Sequence, residues 1–299
     1  MKAKVSAVIP TLGRSPLLVP CLDALRKDAR ASGIALEIVV VDQRETGAEN
    51  LSIPQGLADR VLRPGRNLGF TGGTNLGISE SSGEYVATVN DDLLVEPGWL
   101  AALVEALDGS PQTAAVQGVN LILDRPDLAD GCGLEWNRWW QAVQIGHGEP
   151  APEPSAPRRE VFGVSATAAL YRRSALTSVV LDGGDEKVFD PRLDSYYEDV
   201  DLAVRLRKAG FLAWLIPAAQ ARHAGSITGQ SSSRRRWSLI YGNRYLAAAR
   251  LLGSRFWPSL PWMILRDLLD FTRALLRADL PLAAGIMAGW GRAVRLGIG

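Results

Sequence analysis

Two short apolar stretches decide the fold of this chain: KVSAVIP at residues 4–10 and LEIVVV at residues 36–41. Each has the length and composition of a buried strand, and a polar residue follows each one, Thr11 and Asp42 respectively. Ser15–Ser32, which lies between them, has the apolar spacing of a helix. A strand, a helix and a strand in this order predict two parallel strands in a covered sheet.

The alternation of strands and helices continues along the chain. Further strands are predicted at Arg60–Arg63, Glu84–Val89, Val161–Tyr171 and Phe211–Ile216. Further helices are predicted at Gly72–Ser82, Pro97–Leu107 and Glu198–Ala209. The pattern predicts an α/β fold, with a doubly wound, mostly parallel sheet in a main domain over residues 1–235 and a C-terminal helical segment over residues 236–299.

Three segments depart from this alternation. Asp124–Pro157 contains several tryptophans and a proline-rich stretch, and a loop of this length in a compact domain usually carries a function. Arg222–Ser233 is polar. The helical pattern that begins at Arg236 is expected to break at three prolines: Pro258, Pro261 and Pro281.

Composition narrows the class of protein. The net charge of +1 argues against a nucleic-acid binder, which would carry a basic excess. The two cysteines, Cys21 and Cys132, lack metal-ligand spacing and fit a reducing cytosol. The N-terminus lacks the pattern of a signal peptide, and the apolar runs Phe256–Leu265 and Leu280–Trp290 are too short to cross a bilayer. We therefore expect a soluble protein or one that lies on a membrane surface.

Carboxylates follow the strand that ends at Val89, in the sequence Asn90-Asp91-Asp92. Adjacent carboxylates repel each other and resist desolvation, so a partner should hold them in place. A hard divalent cation, Mg²⁺ or Mn²⁺, would do so together with substrate phosphates. The alternative is an acidic turn that caps the helix at Pro97.

Three other motifs each have a functional and a structural interpretation. Glu198-Asp199-Val200-Asp201 supplies either a general base or acids that favour a helix N-terminus. His223 is either a metal ligand beside carboxylate or an ordinary hydrogen-bonding histidine. The glycines in Arg66–Asn75 allow either close approach to phosphate or a turn.

Taken in order along the chain, these motifs resemble the family 2 glycosyltransferases, and most closely the rhamnosyltransferase-like branch of bacterial cell-surface polysaccharide synthesis. The resemblance covers roughly residues 4–230. It rests on the following segments: Val8-Ile9-Pro10-Thr11, Val39-Val40-Val41-Asp42, Asn67–Asn75, Asn90-Asp91-Asp92, Phe189-Asp190-Pro191, Glu198–Leu202 and His223.

The resemblance implies the GT-A fold, with a nucleotide-sugar half over about residues 1–120 and an acceptor half over about residues 121–235. It implies that Asp92 and His223 hold the metal, that Asp199 is the catalytic base, and that Glu198 lies beside it and orients acceptor or donor. It implies that seven residues bind the nucleotide sugar: Thr11, Asp42, Asn67, Gly72, Gly73, Asn90 and Asp91. Among them, Asp42 would lie near the base and Asp91 near the ribose or the donor sugar.

The reaction implied is an inverting transfer by single displacement, assisted by Mg²⁺ or Mn²⁺. The donor would be a TDP- or UDP-sugar, with L-rhamnose favoured, and the acceptor a polysaccharide or lipid-linked glycan of the cell wall. In the family the second-strand aspartate is usually followed by Asn, whereas this chain has Gln43-Arg44-Glu45, so the nucleotide base stays open. The first position of Asn90-Asp91-Asp92 is not a carboxylate, which excludes a chelate by two aspartates around a variable middle residue.

Three other functions are compatible with parts of the pattern. A nucleotidyltransferase of similar fold would need a longer basic glycine-rich loop after the first strand than Thr11–Ser15 provides. A non-catalytic sugar-nucleotide or glycan-binding relative would be expected to lack the acids that this chain keeps. A membrane-surface scaffold would leave the acids at the strand ends unexplained.

The C-terminal segment, roughly residues 236–299, combines apolar residues with arginines and tryptophans. This combination is typical of helices at a lipid headgroup boundary, which would make the protein peripheral at the inner face of the cell membrane. The alternative is that these helices pack on the main domain or form a homodimer contact. Asp267, Asp270 and Asp279 favour that alternative.

Overall fold

A computed structural model describes residues 4–47, 49, 51–181, 187–225 and 233–297. The two apolar stretches form adjacent parallel strands, β1 (Val5–Thr11) and β2 (Leu36–Asp42), in a register that sets Thr11 opposite Asp42. Between them α1 (Leu18–Ser32) ends at Gly33, whose left-handed backbone (φ 68°) stops the helix. The polar residues that close both strands therefore lie at one edge of the sheet.

The remaining elements follow in chain order. The strands are β3 (Arg60–Leu62), β4 (Tyr85–Val89), β5 (Leu93–Val95), β6 (Thr113–Ile122), β7 (Arg125–Gly131), β8 (Leu134–Trp136), β9 (Ala142–Gln144), β10 (Arg159–Val161), β11 (Ala168–Arg172) and β12 (Leu212–His223). The helices are α2 (Gly69–Ser79), α3 (Trp99–Asp108), α4 (Arg173–Ser178), α5 (Glu198–Lys208), α6 (Arg234–Leu252), α7 (Phe256–Leu276) and α8 (Leu280–Arg295), with a short 3-10 turn at Gly253–Arg255.

The main sheet has the order β10-β12-β6-β11-β4-β1-β2-β3. The block β4-β1-β2-β3 is parallel, and β6 and β12 form a second parallel pair, while β11 runs antiparallel between the two blocks. Side chains alternate between the two faces: Val5, Ala7 and Ile9 join a core with α1 and α3, whereas Val8 joins the core on the opposite face. The doubly wound α/β fold expected from the sequence is confirmed.

Several predicted boundaries are wrong. Helix α2 begins at Gly69, three residues before the predicted Gly72, so the glycine-rich segment is part of the helix. The predicted strand Val161–Tyr171 is two strands, β10 and β11, separated by residues 162–167. Strand β12 is longer than predicted and includes His223. Apolar spacing marks where an element is buried but not where its hydrogen bonds begin and end.

The C-terminal segment forms three helices, of which α6 and α8 pack closely on each other and α6 also packs on α5. The run breaks just before two of the three prolines, since Pro258 and Pro281 lie in the first turns of α7 and α8, whereas Pro261 lies inside the continuous helix α7 and does not break it. No helix among the described residues is long and apolar enough to cross a membrane. Most of the predicted polar segment Arg222–Ser233 lies outside the described residues.

Asp28 of α1 connects this helix to α3. Its two carboxylate oxygens accept hydrogen bonds from the N–H groups of Gly98 and Leu100, at 2.6 and 2.8 Å, at the open N-terminus of α3. The Asp28 side chain is buried, so water cannot take over these donors. The carboxylate thus fixes the start of a helix that covers the sheet.

We expect Asp28→Ala to lower the free energy of unfolding by about 2 kcal/mol, because the variant removes the acceptor that caps two N–H groups, of which that of Leu100 is buried. Urea denaturation followed by circular dichroism measures this difference. Asp23→Ala, on the exposed side of the same helix, is the matched control and should change stability little. Equal stability of the two variants would contradict the capping role of Asp28.

Candidate active site

A cleft of about 200 Å³ opens where β1 and β4 end. Five residues predicted to bind donor or metal line it: Thr11, Asn67, Asn90, Asp91 and Asp92. Residues from later in the chain complete its wall, among them Asp194, Ser195 and Arg235. The cleft therefore lies at the carboxyl ends of strands, where α/β sheets bind ligands.

Asp92 and His223 meet beside this cleft because β5 pairs with the end of β12, with His223 directly opposite Leu93. The His223 Nε2 atom lies 3.2 Å from Asp92 Oδ1. On its other side the imidazole Nδ1 is hydrogen-bonded to Asp130 Oδ2 at 2.8 Å. Asp92 and His223 are both buried, and Asp130 is partly buried. The structure thus joins two residues that are 131 positions apart in the sequence.

Asp92 Oδ1 and His223 Nε2 are close enough for an ion pair but are not aligned for a hydrogen bond, so both are buried atoms without a hydrogen-bond partner. Burial lowers the pKa of the His223 imidazole, yet the hydrogen bond to Asp130 and the Asp92 carboxylate outweigh it and raise the pKa to about 9. Without a cation, an imidazolium ion therefore balances the two acids.

The same two atoms fit a divalent metal ion. Neighbouring ligands of an octahedral ion at about 2.1 Å are roughly 3 Å apart, which is close to the observed 3.2 Å. The Asp130 carboxylate holds the imidazole in one orientation, as a carboxylate behind a metal-bound histidine does. The described residues contain no cluster of three or more such ligands, so donor oxygens would have to complete the coordination.

Asp91 lies between this pair and β1. Its carboxylate accepts a hydrogen bond from the Thr11 hydroxyl. Burial raises the pKa of Asp91, and the Thr11 hydrogen bond opposes that rise. The Thr11 hydroxyl therefore helps to fix the orientation of Asp91 in the wall of the cleft.

Asp42 is not among the residues that line the cleft. Arg44 binds both of its oxygens, through Nε and Nη2 at 2.8 Å each, and Arg63 lies 3.6 Å away. The hydrogen bond from Arg44 lowers the pKa of Asp42. A nucleotide base that reached this strand end would meet a carboxylate already paired with arginine.

The glycines of α2 serve packing. A Cβ atom at Gly73 would lie 2.6 Å from the Gln43 amide nitrogen, and one at Gly72 would lie 2.8 Å from the Leu68 Cβ. The backbone N–H of Leu68 donates to Gln43 Oε1, and the N–H of Gly69 donates to Asn67 Oδ1. These two donors at the start of the helix are therefore occupied within the protein and are not free for phosphate.

The three acids at the start of α5 have different surroundings. Asp201 is buried, and its two oxygens form ion pairs with Arg205 and Arg250, so it is a structural residue. Asp199 accepts hydrogen bonds from the N–H groups of Val200 and Ala166, at 2.8 and 3.3 Å. Glu198 is buried, and its Oε2 atom has no partner.

Burial raises the pKa of both Glu198 and Asp199. Hydrogen bonds from the Val200 and Ala166 N–H groups stabilise the charged form of Asp199 and oppose this rise. Ala166 belongs to the segment between β10 and β11, and the next residue, Thr167, accepts a hydrogen bond from the Asn90 N–H. This segment therefore connects Asp199 to the end of β4 and to the cleft.

The loop before α5 has a strained backbone. Asp194, Tyr196 and Tyr197 have φ angles of 66°, 65° and 68°, in the left-handed region that costs a non-glycine residue roughly 1–3 kcal/mol. Asn243 of α6 holds this loop, since its Nδ2 donates to the carbonyls of Leu193, Ser195 and Tyr196 at 2.8–2.9 Å.

Asn243 is itself fixed by α8. Arg292 donates to Asn243 Oδ1 at 2.6 Å and to the Leu193 carbonyl at 3.1 Å. Strain of this kind persists only where the surroundings over-determine the conformation, and it is typical of functional sites. The C-terminal helices α6 and α8 therefore hold the loop that leads into Glu198 and Asp199.

Comparison with known proteins agrees with this geometry. The profile described as glycosyl transferase family 2 matches residues 6–179, more than half of the chain. The chain belongs to glycosyl transferase family 2. The resemblance drawn from the motifs is thereby confirmed.

Two family 2 relatives are informative. An N-acetylglucosaminyl-diphospho-decaprenol L-rhamnosyltransferase of Mycobacterium tuberculosis is 32% identical over 193 residues, or 55% of this chain and 58% of that protein. An N-acetylglucosaminyltransferase of Sinorhizobium fredii is 27% identical, over 83% of this chain and 60% of that protein. In both cases the chain spans less than two thirds of the relative's length.

Solved structures share the fold. GalNAc-T7, crystallised with UDP, GalNAc and Mn²⁺, superposes over 99% of this chain and 54% of its own with a TM-score of 0.64 at 14% identity. The mannosyltransferase PcManGT of Pyrobaculum calidifontis, in complex with GDP-Man and Mn²⁺, superposes over 99% of this chain and 88% of its own with a TM-score of 0.56 at 18% identity. The family 2 chain thus has the GT-A fold, as expected.

Several residues of the site were not predicted from the sequence: Gln43, Asp130, Asp194, Arg235 and Asn243. Asp130 lies in the tryptophan-containing excursion, where no pattern marked it out. Asn243 lies in a helix that was interpreted as an appendage. Asn243 is a polar residue in a helix with many apolar ones, and this was the one hint of a role that the sequence offered. That it is buried, and which groups it binds, is known only from the folded chain.

We expect Asn243→Ala to loosen the strained loop, because three carbonyls lose their common donor. Hydrogen exchange of the amides of residues 194–198 should become at least about tenfold faster, which corresponds to a loss of roughly 1.4 kcal/mol in local stability.

Tyr241→Phe is the matched control, since it removes a buried hydroxyl from the same helix that contacts Asp270 and not the loop. The control should lower global stability while the loop amides keep their exchange rates. If both variants change these amides equally, Asn243 has no specific role in holding the loop.

Proposed function

We propose that this protein is an inverting glycosyltransferase that moves a sugar from a TDP- or UDP-sugar to a hydroxyl of a polysaccharide or lipid-linked glycan. The observation that carries the proposal is the pair of buried atoms beside the cleft, Asp92 Oδ1 and His223 Nε2, which lie 3.2 Å apart and form no hydrogen bond. A transferase that expels a nucleoside diphosphate needs a cation at this position, and the pair fits one. The L-rhamnose donor is favoured because a rhamnosyltransferase is 32% identical.

Asp92 and His223 would hold Mg²⁺ or Mn²⁺, with the diphosphate as a further ligand. When bound, the metal supplies Lewis-acid neutralisation of the charge that develops on the departing diphosphate. Arg235, on the edge of the cleft, is well placed to add a second positive charge. In the free protein Arg235 pairs with Asp194 at 2.5 Å, so a phosphate would have to compete with that carboxylate.

The donor would be oriented by carboxylates that can accept hydrogen bonds from its hydroxyls. Asp91, fixed by Thr11, is suited to the ribose or the donor sugar. The nucleotide base would lie near Asp42, outside the lining of the cleft, and would there meet the ion pair of Asp42 with Arg44. Asn67 and Asn90 line the same cleft and offer amide groups to the donor.

Asp199 would act as the general base that takes the proton from the acceptor hydroxyl. Its raised pKa, caused first by burial, makes it a stronger base than an exposed aspartate. Glu198, whose pKa burial also raises, lies beside it and would orient the acceptor or donor. Asp201 is excluded from this role because both of its oxygens are paired with arginines.

A cytoplasmic site of action fits these features. Cys21 and Cys132 are free and buried, as is usual where thiols stay reduced. A lipid-linked acceptor would bring the enzyme to the inner face of the cell membrane.

The metal assignment predicts that Asp92→Asn and His223→Ala lose Mn²⁺-dependent binding of UDP or TDP, because each removes one of the two protein ligands. Isothermal titration of nucleotide with and without Mn²⁺ measures this loss without any acceptor. Glu96→Gln is the control and should bind normally, since Glu96 is a half-buried acid that pairs with Arg222 and is not one of the proposed ligands. Unchanged Mn²⁺ dependence in both site variants would exclude this metal site.

The base assignment predicts that Asp199→Asn lowers turnover by a factor of about 10²–10⁴ and leaves nucleotide binding intact. Turnover is measured as nucleotide release from a panel of TDP- and UDP-sugars with Mn²⁺, which includes TDP-rhamnose and UDP-N-acetylglucosamine. In the unchanged protein the rate should fall as the pH drops through a pKa above that of an exposed aspartate, since only the deprotonated form of Asp199 accepts a proton.

Glu198→Gln separates the roles of the two acids. In Glu198→Gln the rate should still fall at low pH, because Asp199 is still present. In Asp199→Asn any residual activity should no longer show this fall. Near-full turnover in Asp199→Asn, together with loss of the limb in Glu198→Gln, would transfer the base role to Glu198.

A further inference from the structure

Helix α7 has acidic residues on its inner face and apolar residues on its outer face, which is the reverse of the usual arrangement in a surface helix. Its inner face includes two aspartates, Asp267 and Asp270, both buried. Its outer face includes Trp257, Ile264, Leu268 and Leu275 at intervals of seven, four and seven residues, which is one helical stripe. A helix that faces water would carry these two sets of residues the other way round.

The inward aspartates both have charged or hydrogen-bonding partners within the protein. Asp267 accepts hydrogen bonds from Tyr245 and Trp290, at 2.6 and 3.0 Å, and forms an ion pair with Arg244 at 2.9 Å. Asp270 pairs with Arg266 at 2.8 Å. Two of the three acids that argued against a membrane contact in the sequence, Asp267 and Asp270, therefore face the interior and not the outer surface.

Helix α8 extends the apolar surface. Leu280, Met287 and Val294 recur at seven-residue intervals and are 66%, 58% and 81% exposed. All the large apolar side chains that are strongly exposed in the described part of the chain lie between Trp257 and Val294. An apolar surface concentrated in this way marks an interaction site.

The charge around this surface has one sign. Arg255, Arg273, Arg277 and Arg295 are exposed on or next to α7 and α8. Among the described residues of α6, α7 and α8, Asp267 and Asp270 are the only acids, and both are buried. The half-buried Asp279 caps α8 through the Leu282 N–H.

We infer that the outer faces of α7 and α8 form a docking surface for an anionic phospholipid bilayer, with the apolar stripes in the headgroup boundary and the arginines on lipid phosphates. Leucine and tryptophan on one side of a helix, with arginine beside them, are typical of helices that lie in this boundary. A second copy of the chain fits less well, because a two-fold contact would bring arginines near arginines with no exposed acid on these helices to pair with them.

The surface is tied to the acceptor half of the protein. Trp262 of α7 stacks on Trp139 of the excursion between β8 and β9, with ring centroids 4.3 Å apart, and its Nε1 donates to the Arg138 carbonyl at 3.1 Å. Helix α6, which holds the loop before Asp199, packs on the inner side of α8. A bilayer bound to α7 and α8 would therefore lie next to the part of the protein proposed to receive a lipid-linked acceptor. The inference itself stands on the surface and not on the proposed reaction.

The test is sedimentation of the full-length protein with vesicles of phosphatidylcholine, with and without about one third phosphatidylglycerol. We expect binding to the anionic vesicles that weakens in high salt, and little binding to phosphatidylcholine alone. Arg273→Gln and Arg277→Gln should each lower the partition coefficient roughly fivefold. Leu268→Glu combined with Leu276→Glu should abolish binding.

Ala31→Glu lowers the net charge by one, as each Arg→Gln variant does, but on the exposed face of α1; it is the control and should bind like the unchanged protein. Mn²⁺-dependent nucleotide binding and circular dichroism of each variant report that the fold is intact, independently of the vesicles. If the unchanged protein stays in the supernatant with all vesicles, the inference is overturned. A dimer in analytical ultracentrifugation that Leu268→Glu dissociates, without vesicle binding, would assign the surface to a second copy instead.

Discussion

Burial of two adjacent carboxylates at the end of β4 is the constraint on which the site depends. Asp91 and Asp92 are nearly inaccessible to water, and ionised groups in such a place are costly unless they are paired. Thr11 from β1 and His223 from β12 supply the partners. The ends of three strands must therefore converge, and this convergence creates the cleft.

A second set of interactions holds the loop that leads into Asp199. Three residues of this loop have left-handed backbone conformations, and the amide of Asn243 binds the carbonyls around them. Because Asn243 belongs to α6 and is fixed by Arg292 of α8, the C-terminal helices are part of the site's construction. The sequence suggests a boundary between a main domain and a C-terminal segment. The structure shows that α6 and α8, beyond this boundary, hold the loop before Asp199 in place.

The same helices have an unusual distribution of charge and apolar surface. Asp267 and Asp270 face inward to tyrosines and arginines, while leucines and tryptophans face outward. This arrangement leaves apolar area and positive charge on the outside, which is unfavourable in water and favourable at an anionic lipid surface. The orientation of α7, with its aspartates toward the interior, therefore determines both the ion pairs inside the helical segment and the apolar, positively charged character of its outer surface.

The sequence by itself determined the doubly wound sheet, the family and the strand-end acids, because apolar runs, helical spacing and short motifs are local and survive without knowledge of contacts. Asp92 and His223 were chosen from residue chemistry and resemblance, and the fold brought them within 3.2 Å. Only the tertiary structure decided the rest. Asp130 behind His223, Asn243 behind the strained loop and the inward aspartates of α7 depend on pairings between residues 22 to 93 positions apart, and no local pattern encodes such pairings.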